Sequence, residues 1–225
     1  FADLNSRYVE RFGFPFIIAV KGLDKTAILA AFEPFGSRSR NFSQEVLAAW
    51  PGSEVEKRVL PVVFEALPDQ VAEMISGRPP AIVLMGMSRR KKKVEVESVA
   101  LNLLVGTDRP DNAGQSPSER PVVAGGPLAL PSTWDTPGVV NALRGAGIRA
   151  VQNYHAGVYA CNQVLYLTLH AARQAGLDIP IGFLHLPGGT DDRKDPRGKR
   201  ARRMARRMAP VLFDSVRPVG EAVTS

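Results

Sequence analysis

The chain has 225 residues, 44% of them hydrophobic and 23% charged, which suits one sizeable α/β domain with an ample core. No run approaches the ~18 apolar residues of a bilayer span, and the opening FADLNSRYVERFGFPF lacks the parts of a signal peptide, so a soluble, cytoplasmic protein without a membrane partner is expected. The lone cysteine, Cys161, excludes an internal disulfide and a cysteine-based zinc site, and the net charge of +7 is concentrated in two local runs, SRRKKK (88–93) and RKDPRGKRARRMARR (193–207), which read as solvated faces, so nucleic acid is not expected as a partner.

Residues 1–25 stand apart, with a strand-like apolar centre in RYVERFGFPFIIAVKGLDK; the initial Phe1 implies a natural start that lies elsewhere or was processed. From Thr26 onward short apolar runs alternate with helical ones. TAILAAF (26–32) suits a strand entering the loop EPFGSRSRN, SQEVLAAW (43–50) a helix, and the β-branched VEKRVLPVVF (55–64) a strand. LPDQVAEMISG (67–77) is a short helix with Pro68 in its first turn and Gly77 at its stop. AIVLMGM (81–87) is a continuous apolar run, as a strand buried on both faces requires.

The rhythm repeats in the second half. TPGVVNALRGAG (136–147) predicts a helix, IRAVQNY (148–154) a strand, the stretch from Cys161 to Gly176 a helix, and IGFLHLP (181–187) a strand. A last helix spans about 198–213, with Ala201, Met204, Met208 and Leu212 recurring opposite the arginines. Such alternation predicts an α/β fold, a largely parallel sheet covered by helices on both faces.

The strand-turn-helix around Gly157 places Cys161 at a helix N-terminus, where free N–H groups and the helix dipole stabilise a thiolate and can hold an oxyanion. A thiol nucleophile also needs a proton carrier. His170 lies too far along the following helix, and His155 sits in the turn with no predictable direction. His185 is the informative one, near the C-terminal end of a predicted parallel strand, the edge where sites assemble in open α/β sheets. Cys161 after one strand and His185 at the end of the next are expected to face one another. Chemistry alone leaves Cys161 open between a small buried hydrophobe and a nucleophile.

FEPFGSRSRN (32–41), VESVALNL (96–103), RPDNAGQSP (109–117), AGVYACNQVLY (156–166) and GFLHLP (182–187) resemble, in order, the segments of the pyroglutamyl peptidase I family. The resemblance runs from about residue 27 to 213. It implies a three-layer α/β/α sandwich and a cytoplasmic cysteine peptidase that removes an N-terminal pyroglutamate, usually as a homo-oligomer, with no cofactor or metal. Carried over by motif, the nucleophile is Cys161, the base His185 and the third triad member Glu97, which would hold the other imidazole N–H and stabilise the imidazolium. Glu95, two residues earlier on the same side, is a weaker candidate, and the alternative reading of Glu97 is that it only balances neighbouring lysines. The resemblance makes Phe32 and Phe35 walls of a flat apolar lactam pocket, with Tyr159 and Ala160 beside the nucleophile and the Met87 backbone meeting the ring.

Several positions depart from the family. GMSRRKKK replaces a glycine-rich stretch, and Arg109 stands where an apolar pocket residue is expected, so the guanidinium would favour an anionic group or point away. These changes spare the triad but alter the pocket. The alternative function is accordingly a catalytically impaired member that binds an acidic ligand through Arg109 and the 88–93 run. LNSRYVERFGFPFIIAVKG resembles a segment near the end of the ureidoimidazoline (OHCU) decarboxylases, without the part that supplies their catalytic His and Glu, so no decarboxylase activity is expected. The expected organisation is a decarboxylase-like segment (1–26), a catalytic domain (27–215) and a tail (216–225).

Overall fold

In chain order the elements are β1 Ala27–Phe32, α1 Phe42–Ala48, β2 Val55–Leu60, α2 Leu67–Ser76, β3 Ile82–Ser88, β4 Val94–Leu101, β5 Ala129–Pro131, α3 Thr136–Gly145, β6 Ala150–His155, α4 Ala160–Gln174, β7 Ile181–Pro187 and α5 Lys199–Ser215. The computed structural model describes residues 26–53, 55–88, 92–105, 109–188 and 198–215. The decarboxylase-like segment, the tail, and parts of both basic runs lie outside the described residues.

Strands β2, β1, β3 and β7 are parallel neighbours in that order. The apolar runs of β1, β3 and β7 are continuous because both faces are covered, whereas β2, at the sheet edge, exposes Glu56, Lys57 and Val59. Leu29, Ala31, Val83, Met85, Leu184 and Leu186 pack with apolar residues of α1, α3 and α5, while Ile28, Ala30, Ile82, Leu84 and Phe183 pack with those of α2 and α4. This is the expected three-layer sandwich. The stripe on α5 holds as predicted, with Ala201, Met208 and Leu212 buried and Met204 packed against the same cluster. Burial of a side chain such as Met208 or Leu212 contributes about 2 kcal/mol.

Two expectations are corrected. The predicted strand 55–64 ends at Leu60. Pro61 has no N–H to continue the ladder, and the next amides turn to side chains, Val62 N–H to Glu33 Oε1 at 3.0 Å and Phe64 N–H to Asp111 Oδ2 at 2.9 Å. The strands before Cys161 and around His185 are not neighbours either. Strand β4 lies between them, antiparallel to β7 and parallel to β6, so β6 runs opposite to β7. The site is therefore assembled across β4 and not along one parallel edge. The short β5, antiparallel to β4 over Val99–Leu101, was not legible as an element.

Candidate active site

The turn after β6 needs a left-handed residue, and Gly157 supplies it at φ +84°. Tyr159 then takes an extended conformation as the N-cap of α4 and contributes no side-chain cap; the helix begins with Gln163 N–H donating to the Tyr159 carbonyl at 2.9 Å. Cys161, partly exposed, thus lies in the first turn of α4, as the spacing predicts. The adjacent Asn162 is fully buried and locks that turn to the end of β4. Its Oδ1 accepts from Leu101 N–H at 2.8 Å, and its Nδ2 donates to the carbonyls of Leu101 at 2.8 Å and Leu103 at 2.9 Å.

Across the sheet, the His185 Nδ1–H donates to Glu97 Oε1 at 2.7 Å, with the Glu97 side chain fully buried. The other Glu97 oxygen, Oε2, accepts from Asn153 Nδ2 at 2.9 Å. Both carboxylate oxygens are therefore engaged, and the carboxylate fixes the imidazole so that Nε2 is left for Cys161. Burial pulls the His185 imidazolium down, but the Cys161 charge and hydrogen bond, followed by the hydrogen bond and charge of Glu97, outweigh it and raise the histidine to about 10. The Phe183 ring lies 4.8 Å from that of His185, on the same face.

Gly86, paired with His185 in the sheet, makes room for the thiol. A Cβ there would lie 3.0 Å from Cys161 Sγ and 2.8 Å from Phe183 Cζ. Glu95, Glu97 and His185 present ligand atoms within 4.8 Å of one another, enough to reach a metal ion. Of these, the His185 and Glu97 atoms already face each other as a hydrogen-bonded pair. Glu95 sits opposite His185 in the β4–β7 register, yet Glu97 is the carboxylate that holds the ring. A fully buried Glu97 bonded to His185 also removes the reading in which it merely balances lysines.

The other predicted residues divide. Tyr159 meets Phe35 and Phe64 edge-on at centroid distances of 5.7 and 4.9 Å, and Ala160 is buried beside Cys161. Phe32 is buried in the α2/α4-side core, with Phe35 packed partly exposed against it. Met87 alternates to the other face of β3, where its side chain packs with the α1/α3/α5-side core, away from Cys161. Arg109 is exposed, but its charge reaches Tyr159. The Tyr159 hydroxyl has no hydrogen-bond partner among the described residues, and its pKa is pushed up to about 12 by burial and then by the charges of Asp111 and Cys161, against the opposing Arg109.

Sequence reasoning missed the residues that hold these pieces in place. Asn112 Nδ2 donates to Glu33 Oε1 and the Pro34 carbonyl, and its Oδ1 accepts from Gly36 N–H at 2.8 Å, pinning the loop that carries Phe35. Asp111 accepts from the amides of Phe64, Ala113 and Gln115. The available signal was the Pro-Asp-Asn-Ala-Gly composition of that loop, which marks side chains that bond the backbone. Gly86, Asn153 and Asn162 carried no comparable local signal.

The profile of the pyroglutamyl peptidase family matches residues 25–199, and that of OHCU decarboxylase matches residues 1–46. The chain is 35% identical over 165 residues to the pyrrolidone-carboxylate peptidase of Thermococcus onnurineus, covering 71% of this chain and 82% of the relative. It is 39% identical over 177 residues to that of Clavibacter michiganensis, covering 74% and 80%. The crystal structure of pyrrolidone carboxyl peptidase from Thermus thermophilus superposes with a TM-score of 0.73 at 35% identity, covering 83% of this chain and 98% of that one. The Pyrococcus furiosus enzyme does so with a TM-score of 0.74 at 26% identity, covering 84% and 97%. Matched over most of its length by the family profile and by relatives that share its fold, the chain belongs to the pyroglutamyl peptidase family.

Proposed function

We propose that the protein hydrolyses the N-terminal pyroglutamyl peptide bond through a Cys161–His185–Glu97 triad and a thioester on Cys161. The observation that carries the reading is the 2.7 Å bond from His185 Nδ1 to a fully buried Glu97, which turns the imidazole toward the thiol at the start of α4. The Cys161 thiolate attacks the pyroglutamyl carbonyl carbon while the imidazolium holds the proton. As the tetrahedral oxyanion collapses, the C–N bond breaks and His185 gives its proton to the departing amine. Water then attacks the thioester, returns a proton to His185, and releases pyroglutamate with the thiolate restored. The uncapped N–H groups in the first turn of α4 suit the oxyanion.

The flat ring would lie against Phe35 and Tyr159, with Phe32 behind and the Met87 backbone at its polar edge. Arg109, exposed near Tyr159, suits the entrance better than the lactam wall and would meet the peptide beyond the scissile bond. We assign the catalytic unit to residues 27–215 and expect a homo-oligomer, which light scattering reads directly. The function is tested by turnover of pyroglutamyl, prolyl and glutamyl amides with the thiol kept reduced. Turnover of the pyroglutamyl amide alone, with a pyroglutamyl adduct on Cys161 in quenched intact-mass spectra, is the expected result. A folded protein that turns over none of them would overturn it and leave the binding-module reading.

A further inference from the structure

The two basic runs look local in the sequence, but the fold brings Lys93 of the first onto one surface with the α5 cations of the second. With the apolar stripe of α5 buried, Arg202, Arg203, Arg206 and Arg207 stand exposed along its outer side. Together with Lys199 they line a shallow hollow with no carboxylate among its described lining residues. A second hollow is lined by Lys93, Arg144 and Arg149 around Gly147, again with no carboxylate among its described lining residues. Arg207 connects the two, its Nη1 donating to the Gly147 carbonyl at 3.2 Å. Cations from the turn before β4, from α3, from the loop after α3 and from α5 thus form one tract. It lies on the α1/α3/α5 layer, across the sheet from the layer that carries Cys161.

We propose that this tract binds the phosphate backbone of nucleic acid without reading sequence. Side chains three and four apart on a helix are about 5 to 6 Å apart, a spacing that suits successive phosphates of one strand. Guanidinium groups bind phosphate oxygens with paired N–H donors, and at least four of them are presented in a row on α5. The described lining residues of both hollows include no aromatic side chain that would stack on bases, so the contacts are to backbone and the recognition is electrostatic. Insertion into a lipid surface needs a free apolar helix face, and that of α5 is buried in the core.

The test is fluorescence anisotropy of a labelled single-stranded RNA oligonucleotide with the full chain, titrated from about 50 to about 200 mM salt. With four to six phosphates contacted, log K should fall against log salt with a slope of about −3 to −4. Arg203→Glu with Arg207→Glu should weaken binding at least tenfold and flatten the slope by about 1.5. The charge-matched control Arg78→Glu with Arg173→Glu, exposed on the other side of the sheet, should bind like the wild type. Circular dichroism verifies that each variant is folded. No binding at the lowest salt overturns the proposal. So does equal weakening in variant and control, which would reduce the effect to net charge, and so does displacement of the RNA by poly-glutamate at equal charge concentration, which would make the partner an acidic polypeptide. None of these readouts depends on peptidase turnover.

Discussion

Replacing Asn162 by alanine removes one side chain and strands three backbone groups at once. The Leu101 N–H loses its acceptor, and the Leu101 and Leu103 carbonyls lose their donor, all bonded at 2.8 to 2.9 Å in the intact protein. Each net bond contributes about 1 kcal/mol, so the loss should total about 3 kcal/mol, with the cavity left by a fully buried amide adding to it. For a chain of this size the urea midpoint should then fall by about 1 M, taking a slope of about 3 kcal/mol per M. Because Asn162 adjoins Cys161 in the first turn of α4, kcat should fall even in conditions where the variant is fully folded. Asn162→Asp keeps an acceptor for Leu101 N–H but sets a carboxylate oxygen against two carbonyls, and should be at least as destabilised. Urea unfolding followed by circular dichroism, beside turnover of a fluorogenic pyroglutamyl amide, reads both effects. An Asn162→Ala midpoint within about 0.2 M of the wild type would show that these bonds contribute nothing to holding the turn.

Gly86→Ala places a methyl 3.0 Å from Cys161 Sγ and 2.8 Å from Phe183 Cζ; it should lower kcat at least about tenfold, and wild-type turnover would refute the close approach. His185 is raised from 6.5 to about 10, so the imidazolium that protonates the leaving amine persists through neutral pH and kcat/KM should fall as pH rises through about 10. The same shift stabilises the fold, fully below pH 6.5 and progressively less as pH climbs toward 10; Glu97→Gln should bring the upper limit of both the stability and the kcat/KM profile to lower pH. Tyr159→Phe removes a buried hydroxyl that has no partner among the described residues, and calorimetry should show it as stable as the wild type or more stable by about 1 kcal/mol.

The alternating plan of strands and helices was legible because β1, β3 and β7 are apolar on both faces and their helices carry Pro at the start or clear 3.6-residue stripes. Strand order was not. The position of β4 between β7 and β6 depends on pairings such as Glu95 with His185 and Glu97 with Asn153, and no local pattern records those. The proposed triad came partly from position, Cys161 at a helix start and His185 near a strand end, and Glu97 came only with the family resemblance. Gly86 and Asn162 escaped notice for a common reason. Their importance lies in atoms contributed by segments far along the chain, a phenylalanine ring and a thiol in one case and the end of β4 in the other.

The central claim is that Cys161 is the nucleophile, and hydrolysis of a pyroglutamyl amide by the wild type beside Cys161→Ala tests it most directly. The account predicts turnover by the wild type and none above background by the folded variant. Activity that survives the substitution would contradict it.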